Sequence, residues 1–201
     1  MNANLTELVL ILDRSGSMES VREETIAMVN AVVAGELGAA GEQLDLTVAL
    51  FDTEVELVTD GMRISKPRVL TQRTYRPDGC TALHDAVVSV ITHVGARLAA
   101  RDEALRPSAV VVAIITDGLE NASTKHTLAD VRRVIEHQCD VYNWQFLFLG
   151  ANQDSWATGQ GMGLMRDDTK DWTATPDGMQ ELGSAMLMDV QLKKMHARRA
   201  R

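Results

Sequence analysis

The sequence predicts an α/β protein built on an open, doubly wound, mostly parallel central sheet, with one antiparallel edge strand and helices on both faces in a Rossmann-like arrangement. Three observations carry this. Apolar runs such as Leu8-Val9-Leu10-Ile11-Leu12 and Ala109 to Ile115 are as long as strands and lack polar alternation, the mark of strands buried on both faces. Segments with apolar residues at helical spacing alternate with them. The first and a later run each close on an aspartate, Asp13 and Asp117, at the carboxyl ends of their strands, where sheets of this kind bind ligands.

The elements follow in order. Glu7 to Asp13 reads as a central strand, and Val21, Ile26, Val29, Val32, Val33 and Leu37 mark a helix from Met18 to about Leu37. Asp45 to Phe51 and Val55 to Val58 read as strands joined through Asp52-Thr53-Glu54, a link short enough for an antiparallel hairpin. Asp60 to Gly79 contains Gly61, Pro67, Pro77 and an Asp78-Gly79 turn signal, and reads as a long surface connection. A helix from Thr81 to about Ala100 buries Leu83, Val87, Val90, Ile91, Val94 and Leu98, and Ala109 to Ile115 is the next buried strand. Thr127 to His137 is expected to be helical, Val141 to Leu149 a strand, Gln153 to Gln160 a short helix, Trp172-Thr173-Ala174 a short final strand, and Asp177 to about His196 a terminal helix.

Composition bounds the function. The chain of 201 residues reads as a single domain spanning 1–201, with a core of about 5–196 and a short basic tail over 193–201. With 45% hydrophobic and 24% charged residues, it can build a real core. No apolar run approaches the roughly 20 residues of a membrane-spanning helix, and Leu8 to Leu12 is too short for a secretory signal. Cys80 and Cys139 lack metal or disulfide spacing, so the expected setting is reducing and cytoplasmic. Lys193, Lys194, Arg198, Arg199 and Arg201 are expected to be solvated cations at a helix terminus. Without them 15 basic residues face 28 acidic ones, a net of −13, which makes nucleic acid a poor partner. Trp156 and Trp172 read as packing residues.

The chemistry lies in Asp13-Arg14-Ser15-Gly16-Ser17, directly after the first strand. Alternate residues of an extended turn aim three oxygens one way, and Gly16 lets the backbone bend so that they converge. Hard oxygen donors suit magnesium, calcium or manganese. Thr81 opens the second long helix and Asp117 ends a later strand, so three connections bring Asp, two Ser, Thr and Asp to one edge. Taken alone, Asp13 or Ser17 would simply cap the first helix; Thr81 and Asp117 at the same edge shift the reading to a metal site. A dinucleotide fingerprint, a nucleophile elbow and a phosphate loop all lack their glycines here.

At these residues the sequence resembles the von Willebrand factor type A domain, of the stand-alone bacterial type, and its metal-ion-dependent adhesion site. The family pattern is Asp-x-Ser-x-Ser, a later Thr, and Asp-Gly after a central strand, matched here by Asp13, Ser15, Ser17, Thr81 and Asp117. The resemblance implies that Ser15, Ser17 and Thr81 ligate a divalent ion, Mg2+ with Mn2+ or Ca2+ as alternatives, and that Asp13 and Asp117 orient waters. It further implies a non-enzymatic protein–protein interaction module to which a partner protein presents an Asp or Glu carboxylate, with no membrane involved; a regulatory or assembly factor in a bacterial stress or ATPase-linked system is a further reading that differs from it only in the partner. The sequence departs from the family at Cys80, where relatives often have Gly; a small buried thiol is expected there. Glu120-Asn121 is expected to cap the next turn, and Trp144 to Asn152 is similar to a run in stand-alone bacterial members, its aromatics serving as strand core. The competing reading is a magnesium-dependent phosphohydrolase with Asp13 as nucleophile, although such enzymes usually carry a second carboxylate where Ser15 stands.

Overall fold

The computed structural model describes residues 1–37, 41–151 and 154–199. Strand β1, Asn2–Asp13, lies inside a six-stranded sheet with β2, Gln43–Phe51; β3, Val55–Arg63; β4, Pro107–Thr116; β5, Gln145–Ala151; and β6, Thr169–Trp172. The strand order is β3-β2-β1-β4-β5-β6; β2 and β3 pair antiparallel and the other neighbours parallel. Helices α1, Arg22–Leu37; α2, Leu83–Ala99; α3, Leu128–Tyr142; α4, Ser155–Gly161; and α5, Pro176–Arg199, cover the faces. This is the doubly wound architecture expected.

The apolar run of β1 is continuous because both its faces are covered. Leu8, Leu10 and Leu12 join one core with Val29 and Val33 of α1 and Met186 and Val190 of α5. Val9 and Ile11 point the other way, into a second core with Val87 and Ile91 of α2 and Ile135 of α3. Strand order reverses around β1 and β4, since the chain leaves β1 for β2 on one side and later returns to β4 on the other. A crevice therefore opens at the carboxyl ends of these two strands, and Asp13 sits there.

Several boundaries differ from the expected ones. A 3₁₀ turn, Gly16–Val21, precedes α1, so the long helix starts at Arg22 rather than Met18. Strand β3 continues to Arg63, because Asp45 pairs with Arg63 in the ladder and salt-bridges it at 2.6 Å; the long connection begins only after it. Val141 and Tyr142, residues of high strand preference, remain in α3, which ends where Asn143 takes the left-handed conformation (φ 57°), and β5 begins at Gln145. The last strand is Thr169–Trp172 rather than 172–174, set by pairing of Phe148 with Thr169 and Ala151 with Trp172. Of the expected helix Gln153 to Gln160, Gln153 lies outside the described residues, as do Asn152 and Arg201. Trp172 packs as expected, its indole N–H donating to the Leu149 carbonyl at 3.2 Å; Trp156 is half-buried beneath the Arg166 guanidinium.

The basic segment at the end of α5 corrects the expectation of solvated cations. Lys194 is buried, its Nζ 2.7 Å from Glu36 Oε2 of α1, and Arg198 forks onto both oxygens of Glu42 at 2.8 and 2.7 Å. Lys193 pairs with Asp168. The reason is topological: α5 runs along α1, whose buried Glu36 faces it and also accepts from Gln191 Nε2 at 2.6 Å. These contacts fix the register of α5 by charge as well as by packing.

Lys194→Met, which strands Glu36 without its cation, should cost about 3–5 kcal/mol of folding free energy by denaturant titration, and the double variant with Glu36→Leu should recover most of that loss. A neutral effect of the single change would mean that the pair contributes nothing net.

Candidate metal centre

Three loops meet beyond the carboxyl ends of β1, β2 and β4. The loop after β1 is stitched to its neighbours by backbone bonds: Arg14 N–H donates to the Phe51 carbonyl (2.7 Å), Gly16 N–H to Gly79 (3.1 Å), and Asp78 N–H to Arg14 (2.8 Å). The loop before α2 and the loop after β4 are clamped by a reciprocal pair, Thr81 N–H to Asn121 Oδ1 and Asn121 N–H to the Thr81 carbonyl, both 3.0 Å. Asp85 in the first turn of α2 accepts from the backbone N–H groups of Thr124 (2.9 Å), Lys125 (3.0 Å) and His126 (2.7 Å). The loops are thus fixed before any ligand arrives.

Asp13 is fully buried at the centre. Its Oδ1 accepts the Ser15 N–H at 2.7 Å, its Oδ2 the Thr116 hydroxyl at 2.6 Å, and its backbone carbonyl the Tyr75 hydroxyl at 2.7 Å. Burial pushes its carboxyl up to about 6, against the opposing pull of the Thr116 and Ser15 hydrogen bonds and with some help from the Asp117 charge. Burial, with the nearby Asp13 charge, also lifts the Tyr75 phenol well above its ordinary value, so it stays a donor.

The hydroxyls form a chain. Ser15 Oγ lies 3.2 Å from Ser17 Oγ, which donates to Asp117 Oδ1 at 2.6 Å. Burial raises the Asp117 carboxyl above its ordinary value, offset in part by the Ser17 hydrogen bond. Ser15, Thr81 and Asp117 are buried while Ser17 is exposed, so the cluster opens to solvent on the Ser17 side. A Cβ on Gly118 would stand 3.5 Å from the Thr81 hydroxyl, so glycine keeps the space beside that oxygen clear.

All five residues singled out in the sequence therefore occupy one edge. Ser15, Ser17 and Asp117 touch, Asp13 supports the turn that carries the serines, and Thr81 reaches the edge from the α2 side. Among the described residues, no three of His, Cys, Asp and Glu gather in a group able to hold a metal ion, so a cation at this edge depends on hydroxyl donors. Three hydroxyls, backed by the carboxylates of Asp13 and Asp117, offer the hard, oxygen-only surroundings that magnesium, manganese or calcium accepts, and the residues fit the ion.

Some contributors were not singled out from sequence. Thr116 and Tyr75 orient the site, and Asn121, expected only to cap the next turn, instead clamps the Thr81 loop. Thr116 was the most visible signal, a hydroxyl closing an apolar strand just before Asp117; Tyr75 lies in the long connection with no local pattern to mark it. Glu120 caps as expected, accepting from Ala122 N–H and Ser123 N–H, and it also accepts the His84 N–H in the first turn of α2 at 2.9 Å. Those bonds outweigh the effect of burial and hold its carboxyl below its ordinary value. The expected burial of Cys80 is overturned: the thiol is exposed, because the left-handed Gly79 (φ 74°) turns the loop so that Thr81, the next residue, takes the inward place.

This fold, with this edge, is that of a von Willebrand factor type A domain. The chain belongs to the family described as VWA domain containing CoxE-like protein, whose model matches residues 2–144. No curated protein matches it. Among solved structures, the mussel byssus proximal thread matrix protein 1 with a zinc-occupied MIDAS motif is 11% identical with a TM-score of 0.69, covering 94% of this chain and 48% of that one. A von Willebrand factor type A protein from Catenulispora acidiphila is 17% identical with a TM-score of 0.61, over 92% of this chain and 42% of its own. Manganese-loaded TRAP protein of Plasmodium vivax is 18% identical with a TM-score of 0.63, over 92% of this chain and 73% of its own. The chain spans about half the length of the mussel protein and less than half that of the Catenulispora one. At these identities the likeness is one of fold.

Because the folded state binds the Asp13 proton more tightly than the ordinary value of 3.8 allows, this group's stabilisation is full at low pH and is lost as pH rises through about 6. In chelator, the melting temperature should therefore fall between pH 5 and pH 7 more steeply for the native chain than for Asp13→Asn. Glu42, Asp85 and Glu120, whose values are lowered, contribute in the opposite sense and only at more acid pH. Identical slopes for the two proteins would remove Asp13 as a titrating group.

Proposed function

We propose that this protein is a non-catalytic, metal-dependent protein-interaction module in which a divalent ion, held by Ser15, Ser17 and Thr81 with Asp13 and Asp117 behind them, takes a carboxylate from an Asp or Glu of a partner. The observation that carries this reading is the contact chain Ser15 Oγ–Ser17 Oγ–Asp117 Oδ1 at an edge where Ser17 faces solvent. Neutral hydroxyls leave most of an ion's charge unbalanced, and an external anion is the natural complement. Magnesium is the first choice, with manganese or calcium as alternatives; the metals named with the mussel and Plasmodium structures, zinc and manganese, support a divalent cation.

The phosphohydrolase reading is weaker on geometry. A nucleophilic Asp13 needs a free oxygen facing substrate, whereas both its oxygens are engaged and the side chain is fully buried. Free Cys80 and Cys139 fit a reducing, cytoplasmic setting. Among the described residues, no helix is long and apolar enough to cross a membrane.

Binding to the folded state alone stabilises by about 2.7 kcal/mol at a hundredfold excess over Kd. Millimolar magnesium or manganese should raise the melting temperature, and Ser15→Ala or Thr81→Ala should abolish the rise while the metal-free melting curve stays close to the native one. Partners captured from the native cell should be lost in chelator and to the same variants. Partners captured equally well in chelator would place the interface elsewhere.

A further inference from the structure

Helix α5 is apolar on two opposite faces. One face carries Leu182, Met186, Val190 and Ala197 into the core. The other, about half a turn away, carries half-buried Ala185 and exposed Met188, Leu192 and Met195. These last three are 68%, 51% and 47% exposed, and their spacing of four and then three residues is that of a coiled-coil seam. A helix lying on a globular protein turns polar residues outward, so an apolar outer stripe marks an interaction surface.

The charges at the ends of the stripe select its partner. Exposed Glu181 and Arg199 bracket it on one line of the helix, about five turns and roughly 27 Å apart. Among the described residues neither has an ion-pair partner. The charged groups on the flanks, by contrast, are engaged within the chain: Asp189 with Lys170 at 2.6 Å, Arg198 with Glu42 at 2.7 Å, and Lys193 with Asp168. When a second α5 is laid antiparallel across the stripe, with the two-fold axis level with Val190, each residue of the seam meets a complement. Met188 faces Leu192 of the second copy, Ala185 faces its Met195, small against large, and Glu181 faces its Arg199 at both ends. A parallel pair would instead set Glu181 against Glu181 and Arg199 against Arg199. An acid on the line of the stripe also counts against a lipid surface.

We propose that the outer face of α5 is the interface of an antiparallel, two-fold symmetric dimer of this chain, an arrangement that closes on itself. The inference is independent of the metal site. Helix α5 starts just after the carboxyl end of β6 and ends where Arg198 reaches Thr6 at 3.2 Å and Ser108 at 3.1 Å, near the starts of β1 and β4. The dimer therefore turns its two candidate metal edges in opposite directions. A single helix pair falls at the low end of interface sizes, below about 1,200 Å² in total, so association is weak.

Sedimentation velocity on the full chain, from micromolar to millimolar concentration, tests this. The native chain should pass from monomer to dimer across that range. Leu192→Glu, which sets a carboxylate in the centre of the seam, should weaken association at least tenfold while the melting temperature stays close to native. Glu181→Arg alone and Arg199→Glu alone should each weaken it too. An equimolar mixture of those two variants should restore it, because both end contacts of the mixed pair again join opposite charges. If Leu192→Glu does not fold, the charge variants still decide. A native chain that stays monomeric at millimolar concentration, a dimer that survives Leu192→Glu, or charge variants that do not rescue one another would overturn the proposal.

Discussion

The buried carboxyl group of Asp13 is the joint on which the candidate metal edge depends. One oxygen holds the turn that carries Ser15, the other ties β1 to the end of β4 through Thr116, and the backbone carbonyl of the same residue anchors Tyr75 from the long connection. Three segments distant in sequence are thereby brought to one point. The arrangement carries a strain of its own, because a carboxylate taken out of water resists ionisation. A cation at the neighbouring hydroxyls offsets that penalty, which couples the stability of the site to the ion in our reading.

The strands and the cluster of hydroxyls and carboxylates at the sheet edge were legible in the sequence for the same reason: both start from local patterns. A run such as Leu8 to Leu12, closed by an aspartate, reads as a strand covered on both faces, and Asp-x-Ser-x-Ser at its end, joined by Thr81 and Asp117, reads as a cluster of oxygens. What escaped is what depends on distant partners. Tyr75, and the role of Asn121 as opposed to its presence in the loop, depend on contacts 62 and 40 residues away in sequence. The helix α3 overran its expected end because tertiary packing and a left-handed Asn143 overrode the strand preference of Val141 and Tyr142. The end of α5 looked like a solvated basic tail because nothing in 193–201 reveals that Glu36 and Glu42 stand opposite.

Charge shapes what the edge can do. The chain carries a net −8, so a partner rich in acids meets repulsion over most of the surface, screened beyond about 8 Å at physiological ionic strength. In our reading only the ion attracts such a partner strongly, and only at contact. Recognition then centres on one carboxylate, and added salt weakens it modestly. Exposed Ser17 and Cys80 and the protruding Leu119, 61% exposed beside Asp117 and Gly118, form the rim that such a partner would touch.

The most direct test of the central claim is anomalous diffraction from crystals of the protein grown with millimolar manganese. The account predicts a single strong peak at the edge, within coordination distance of the Ser15, Ser17 and Thr81 hydroxyls, with Asp13 and Asp117 behind it, and its loss in crystals of Ser15→Ala. A peak at another group of carboxylates, or no peak at that concentration, would contradict it.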